Sequence, residues 1–284
     1  VSSIDGNIWT GFSNSIFSLG YGVAYGKDGT GTGLWVAVGF GTNSIATSPD
    51  GTSWTGSTLK TIFSTGYNVA YRNGLWIAIG SGTDSIATSP DGITWTGRTL
   101  TTIFSTGYSV AFGNGLWVAV GSGTHSIATS PDGITWTGRT GTSIFSTGYS
   151  VAFGNGLWVA VGSGTNSIAT SPDGITWTGR TLKTIFNTYG RGVAYGNGLW
   201  VAVGSGTNNG IATSLDGISW AGKGRVVLNA YGHGVAYGNG VWIAVGSSTI
   251  STIAKSPDGA LWSGGDNSIF PSPGRGVAFK NEIV

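Results

Sequence analysis

Chemistry-bearing side chains are scarce in this 284-residue chain, and their spacing limits what they can do. The two histidines, His125 and His233, stand 108 residues apart, with no carboxylate repeating beside them. Glu282 is the only glutamate, and there is no cysteine and no methionine. Metal-dependent hydrolysis needs two or three converging His or carboxylate groups. The sequence has no such pattern, so neither a metal nor a cofactor is expected. Arg98, Arg139 and Arg180 fall at equivalent places in successive repeats, spread out rather than gathered on one substrate group. Asp5, Asp50, Asp91, Asp132, Asp173, Asp216 and Asp258 each precede a glycine in segments such as Ser130–Trp136, SPDGITW. A carboxylate beside glycine in a tight turn accepts neighbouring backbone N–H groups, and the serine hydroxyl ties the same turn. These aspartates therefore read as structural, and the chain is expected not to be an enzyme.

The same aspartates recur at spacings of 45, 41, 41, 41, 43 and 42 residues. A period of that length signals a repeat architecture. A second motif, (N)GLWVAVG, recurs around Trp35, Trp76, Trp117, Trp158, Trp200 and Trp242. One module reads from Gly107 to Thr147. Ser109–Phe112 is a short strand, and Asn114-Gly115 is the dipeptide of tight hairpins, where φ is positive. Leu116–Val120 is nearly continuously apolar, as a strand covered on both faces must be. Ser126–Ser130 is a third strand, and Pro131-Asp132-Gly133 turns into a fourth at Ile134–Thr137. Four antiparallel strands in such a unit make a propeller blade.

The prediction is thus an all-β, seven-bladed β-propeller forming a single domain over residues 1–284. Its blades fall at about 20–56, 66–97, 107–138, 148–179, 190–222 and 232–264. A closing blade combines 274–284 with 1–11 and would fasten the ring and hide its edges. That last blade is about ten residues short of the period. Either it is abridged or the native chain extends further.

The Ser-x-Asp-Gly-x-x-Trp segments resemble, over the whole chain, the Asp-box or BNR-like repeat of sialidases, sortilin-type receptors and photosystem assembly factors. The usual box has one more residue between Asp and Gly, missing at all seven places here, which shortens the turn. The GLWVAVG and SPDGxTW arrays are also similar to repeat proteins of bacteria and giant viruses. The resemblance implies a propeller. A sialidase would further need an arginine cluster and a tyrosine–glutamate pair, a set not found here.

A four-stranded blade sends its first-to-second and third-to-fourth turns to one face. The second-to-third loop and the blade crossover go to the other. Variation follows that division. The second face carries Asn43, Asp84, His125, Asn166 and Asn208 in loops, and Arg98, Arg139, Arg180, Tyr67, Tyr108 and Tyr149 in crossovers. This face is the candidate ligand-binding site. The alternative is that these are solvated loop tips, with the three tyrosines capping the core.

Composition narrows the partners. Charged residues make up 8%, and the net charge of +2 comes from scattered single residues, which argues against nucleic acid. No apolar run approaches the roughly 20 residues of a membrane span, so no membrane insertion is expected. Two functional readings stand level. One is lectin-like, multivalent recognition of a glycan or protein ligand, with several weak sites gaining avidity on one scaffold. The other is a structural component of a virion, filament or cell-surface layer, whose partner is a copy of itself. A protein-interaction scaffold is a third reading, by fold analogy alone. An extracellular, cell-surface or virion location is expected.

Overall fold

The computed structural model of the chain describes residues 2–3, 8–11, 16–57, 62–98, 103–139, 144–180, 185–225, 227–264 and 273–280. Asp5 and parts of the expected closing blade, 4–7 and 281–284, lie outside the described residues. The chain divides into two compact units, Phe12–Thr142 with Lys280–Val284, and Ser143–Phe279 with Val1–Gly11. All named elements are strands.

The repeat folds as a four-stranded antiparallel sheet with its strands in chain order. One sheet comprises Thr106–Gly113, Leu116–Ser122, Ile127–Ser130 and Thr137–Arg139. In the same unit, Leu19–Lys27, Gly33–Phe40, Ile45–Ser48 and Thr55–Ser57 form a second set. Phe63–Arg72, Leu75–Gly82, Ile86–Ser89 and Thr96–Arg98 form a third, joined to the second where Phe40 pairs with Thr65. The other unit holds three sheets, whose first strands are Thr147–Gly154, Tyr189–Gly196 and Tyr231–Gly238.

Local chemistry sets the turns. Asn114 and Gly115 have φ values of 47° and 74°, and Asn73, Asn155, Asn197 and Asn239 repeat the conformation. Positive φ at both central positions matches the twist of the flanking strands. At the third-to-fourth turn, the Asp132 carboxylate accepts the N–H groups of Ile134 and Thr135. Those residues belong to the turn, so the fourth strand runs from Thr137 to Arg139 rather than starting at Ile134.

The second strand explains the core. Successive side chains alternate faces, so Trp117 and Ala119 lie on one side of Leu116–Ser122 and Val118 and Val120 on the other. The Trp–Ala face, extended by Ala128 and Trp136, packs on Ile77, Ile79 and Ile86 of the preceding sheet. In the other unit, Trp200, Ala202 and Ala212 pack on Val159, Val161 and Ile168. Trp242, Ala244 and Ala254 likewise pack on Val201, Val203 and Ile211. Each such sheet therefore buries both sides, which is why the strand sequence lacks a polar face. The last sheet's outer side, Val241, Ile243, Val245 and Ile253, is covered by Trp9 from one chain end and by Val277 and Phe279 from the other.

Candidate ligand-binding site at the first-strand bulges

Every first strand in a named sheet carries a one-residue bulge at the same position. Gly107 pairs with Gly121 and Ser109 with Val120, which leaves Tyr108 without an opposite residue. The same register shift singles out Tyr21, Tyr67, Tyr149, Arg191 and His233. A bulge bends the strand and re-aims the extra side chain, a device common beside functional sites. Glycines make the neighbouring strands' approach possible. A Cβ on Gly22 would stand 2.8 Å from the Tyr67 carbonyl oxygen. One on Gly192 would stand 3.1 Å from that of His233, and one on Gly234 would stand 2.9 Å from that of Arg275. The Asn68 side-chain oxygen also accepts the Val110 N–H at 3.1 Å, tying one first strand to the next.

The bulge side chains meet their neighbours. In the Phe12–Thr142 unit, the rings of Tyr21 and Tyr67 are 4.9 Å apart, and those of Tyr67 and Tyr108 are 5.0 Å apart. In the other unit, the Arg191 guanidinium sits 4.6 Å from the Tyr149 ring centroid and 4.8 Å from that of Tyr189. Tyr189 in turn stacks on Tyr231 at 6.2 Å, and Tyr231 lies 6.5 Å from the His233 ring. Burial, then the positive charges of Arg191 and Arg275, push the His233 pKa down to about 4.

The loop candidates lie elsewhere and are tied to their own sheets. Asn43 Nδ2 donates to the Ile16 carbonyl, and His125 Nδ1 lies 3.0 Å from the Arg139 carbonyl oxygen. Asp84, His125 and Asn166 lie over Gly97, Gly138 and Gly179 of their fourth strands, where a Cβ would collide with them. Asp84 is only 8% exposed, and its Oδ1 has no hydrogen-bond partner. Asn208 is exposed, and its neighbour Asn209 takes the place over glycine, accepting the Gly224 N–H at 3.0 Å. Arg98, Arg139 and Arg180 donate through Nε to Thr88, Thr129 and Thr170. Of the residues singled out in the sequence, the structure thus draws Tyr67 and Tyr108 together and sets Tyr149 against Arg191. Arg191, His233 and Arg275 were missed as a set. Their signal was GRG, GHG and GRG standing in register with the GYG, GYN, GYS and GYS of the earlier repeats.

The aspartates do turn work. Asp132 and Asp173 each accept two backbone N–H groups and a serine hydroxyl, and these hold their pKa values down at about 2. Asp50, Asp91, Asp216 and Asp258 accept the same pair of backbone donors. Among the described residues, no group of three or more His, Asp or Glu side chains could hold a metal.

Repeated four-stranded sheets with a shared first-strand bulge define a protein of the β-propeller type, and solved structures of that type match it. Virginiamycin B lyase from Staphylococcus aureus is similar at a TM-score of 0.79 and 15% identity, over 96% of this chain and 92% of that one. A catalytically inactive form of it with Quinupristin matches at a TM-score of 0.80 and 14% identity, over the same shares. YCF48 from Cyanidioschyzon merolae matches at 0.62 and 16% identity, over 90% of this chain and 87% of that one. No family model and no curated protein matches the sequence.

One expectation is corrected by these likenesses. The chain was expected not to be an enzyme, yet the fold it shares is that of a lyase. Along the chain the histidines are 108 residues apart, and Arg98, Arg139 and Arg180 fall at equivalent places in successive repeats. First-strand bulges instead bring together residues about 42 positions apart, such as Arg191 and His233.

Proposed function

We propose that this chain is a ligand-binding, seven-bladed β-propeller whose lectin-like site is built from the tyrosines at its first-strand bulges. The carrying observation is the contact of Tyr21, Tyr67 and Tyr108, three half-buried rings delivered by the same bulge in three successive first strands. Tyrosine offers an apolar face to sugar C–H groups and a hydroxyl to sugar oxygens. The blade count rests on the seven sequence repeats, and closure on the packing of both chain ends against one sheet. The Ser-x-Asp-Gly turn is read as a shortened Asp-box. A protein ligand is the other class compatible with such a surface, as YCF48 is known bound to D1 peptide.

Glycan-array binding by the wild type and by the Tyr67→Ala/Tyr108→Ala variant tests this reading. Loss of about tenfold in affinity, with thermal unfolding unchanged, is expected. Silence of the folded wild type across a broad array overturns it.

A second reading, self-assembly in a virion, filament or cell-surface layer, is favoured by one specific feature. Ile93, Ile134, Ile175, Ile218 and Leu261 sit in the Asp-Gly turns of five repeats and are 42–77% exposed. Apolar tips repeated in this way suit contacts between copies. Sedimentation as a monomer at high concentration counts against it. Either reading suits a location outside the cell or on a particle.

A further inference from the structure

We propose that Tyr231 and His233 form a second saccharide site, in which the apolar face of a pyranose rests on the Tyr231 ring and its hydroxyls bond to the imidazole. This rests on the glycan reading and deepens it with a separate place of binding. Tyr21, Tyr67 and Tyr108 belong to one compact unit, and these two residues belong to the other.

The repeat departs from itself at this place. Three earlier first strands carry Thr65-Gly66-Tyr67, Thr106-Gly107-Tyr108 and Thr147-Gly148-Tyr149. Tyr189-Gly190-Arg191 and Tyr231-Gly232-His233 replace them in the next two. The aromatic ring moves two residues toward the start of the strand, and a nitrogen-bearing side chain takes the bulge. The second strands show no such change: Leu199–Ser205 repeats Leu157–Ser163 residue for residue.

The move brings a ring to the surface. Tyr231 is 43% exposed, whereas Tyr67, Tyr108, Tyr149 and Tyr189 are half-buried. It is the only exposed tyrosine among the described residues. The ring is also supported. Its plane lies within 18° of the Tyr189 ring, with centroids 6.2 Å apart, and Tyr189 in turn meets the Arg191 guanidinium at 4.8 Å. A rigid aromatic ring offers a wide contact at small entropic cost to the ligand that covers it.

His233 supplies the polar half. Its ring centroid is 6.5 Å from that of Tyr231, with 33° between the planes. The pKa near 4 leaves the imidazole neutral at pH 7, with one N–H donor and one acceptor nitrogen. A sugar hydroxyl both donates and accepts, which suits that ring better than an imidazolium with donors alone. A planar aromatic ligand would stack on Tyr231 but leave the imidazole unanswered. A pyranose engages both, and a broad apolar contact with a few placed polar groups is how small polar ligands are held.

Proton NMR of the whole chain tests the site directly, because there are only two histidines. The probes are the methyl glycosides of glucose, galactose, mannose and N-acetylglucosamine, with indole as the aromatic alternative. At least one glycoside should shift the His233 ring protons saturably and leave those of His125 in place. Tyr231→Ala should weaken that binding about tenfold. Tyr231→Phe, which keeps the stacking face, should weaken it less, and thermal unfolding should be unchanged in both.

His233 protons unmoved by all four glycosides overturn the proposal. So does a shift caused by indole and by no glycoside, or equal affinity in the wild type and Tyr231→Ala. The Tyr67→Ala/Tyr108→Ala variant separates the two sites. It should keep the His233 shift while losing array affinity. Array binding lost in that variant, with His233 unmoved in the wild type, leaves the first site standing and removes this one. A His233 shift with array binding unchanged in that variant removes the first site and keeps this one.

Discussion

An aspartate, a serine and a glycine do at six described turns what longer loops do elsewhere with many contacts. In one of them, Asp173 accepts the N–H groups of Ile175 and Thr176 at 2.8 and 2.7 Å, while the Ser171 hydroxyl donates to it and accepts from Gly174. Asp173→Ala should lower stability at pH 7 by about 1 kcal/mol in urea unfolding. The pH dependence has a definite sign. Asp132 and Asp173 titrate at about 2, below an ordinary carboxylate, so their stabilisation is present above pH ~4 and is lost as pH falls toward 2. His233 titrates at about 4, below its unfolded value near 6.5. The unfolded chain takes up that proton first, so this term is lost as pH falls from ~6.5 to ~4. Urea midpoints at pH 7, 5 and 3 should decline in both steps, and His233→Asn should flatten the upper one. A midpoint constant from pH 7 to 4 in the wild type would contradict the assignment.

At the scale of the strand, the hairpin and the bulge divide the labour. The Asn-Gly turn sets the register, and the bulge then breaks it to re-aim a side chain, with a second shift between Phe63 and Thr65 in one first strand. Asn155 sits at φ 49°, a conformation costly for most side chains. Asn155→Ala should cost about 1 kcal/mol and Asn155→Gly close to nothing, measured by chemical denaturation. Equal loss in both would mean that the side chain, not the backbone, matters there. The hairpins were legible in the sequence because the dipeptide names its own dihedral angles. The bulges were not. They depend on which residues pair across two strands, and Gly-Tyr-Ser, Gly-Arg-Gly and Gly-His-Gly look alike only once that pairing is known.

For the molecule, the decisive contacts are between sheets. No sheet's apolar sides can be covered by the sheet itself, and the last one depends on Trp9, Val277 and Phe279 from the two chain ends. Removing residues 273–284 should expose Val241, Ile243 and Val245, cost several kcal/mol, and lower the thermal midpoint with aggregation visible in size-exclusion chromatography. Unchanged unfolding would show that the terminal segment is dispensable to that sheet. The corrected expectation about catalysis also belongs to this scale. A scarcity of reactive residues along a chain does not measure how many of them strand neighbours bring together.

The period, the four-strand unit, the Asp-Gly turn and the apolar second strand were determined by the sequence alone. Each depends on interactions within a few residues or within one hairpin, where residue type dictates geometry. Tertiary structure alone decided which side chains meet. Asn43, His125 and Asn166 were turned back onto glycines of their own sheets, whereas Arg191, His233 and Arg275 were set side by side. That outcome follows from strand register and from the close approach of glycine backbones in neighbouring sheets, which no local pattern encodes.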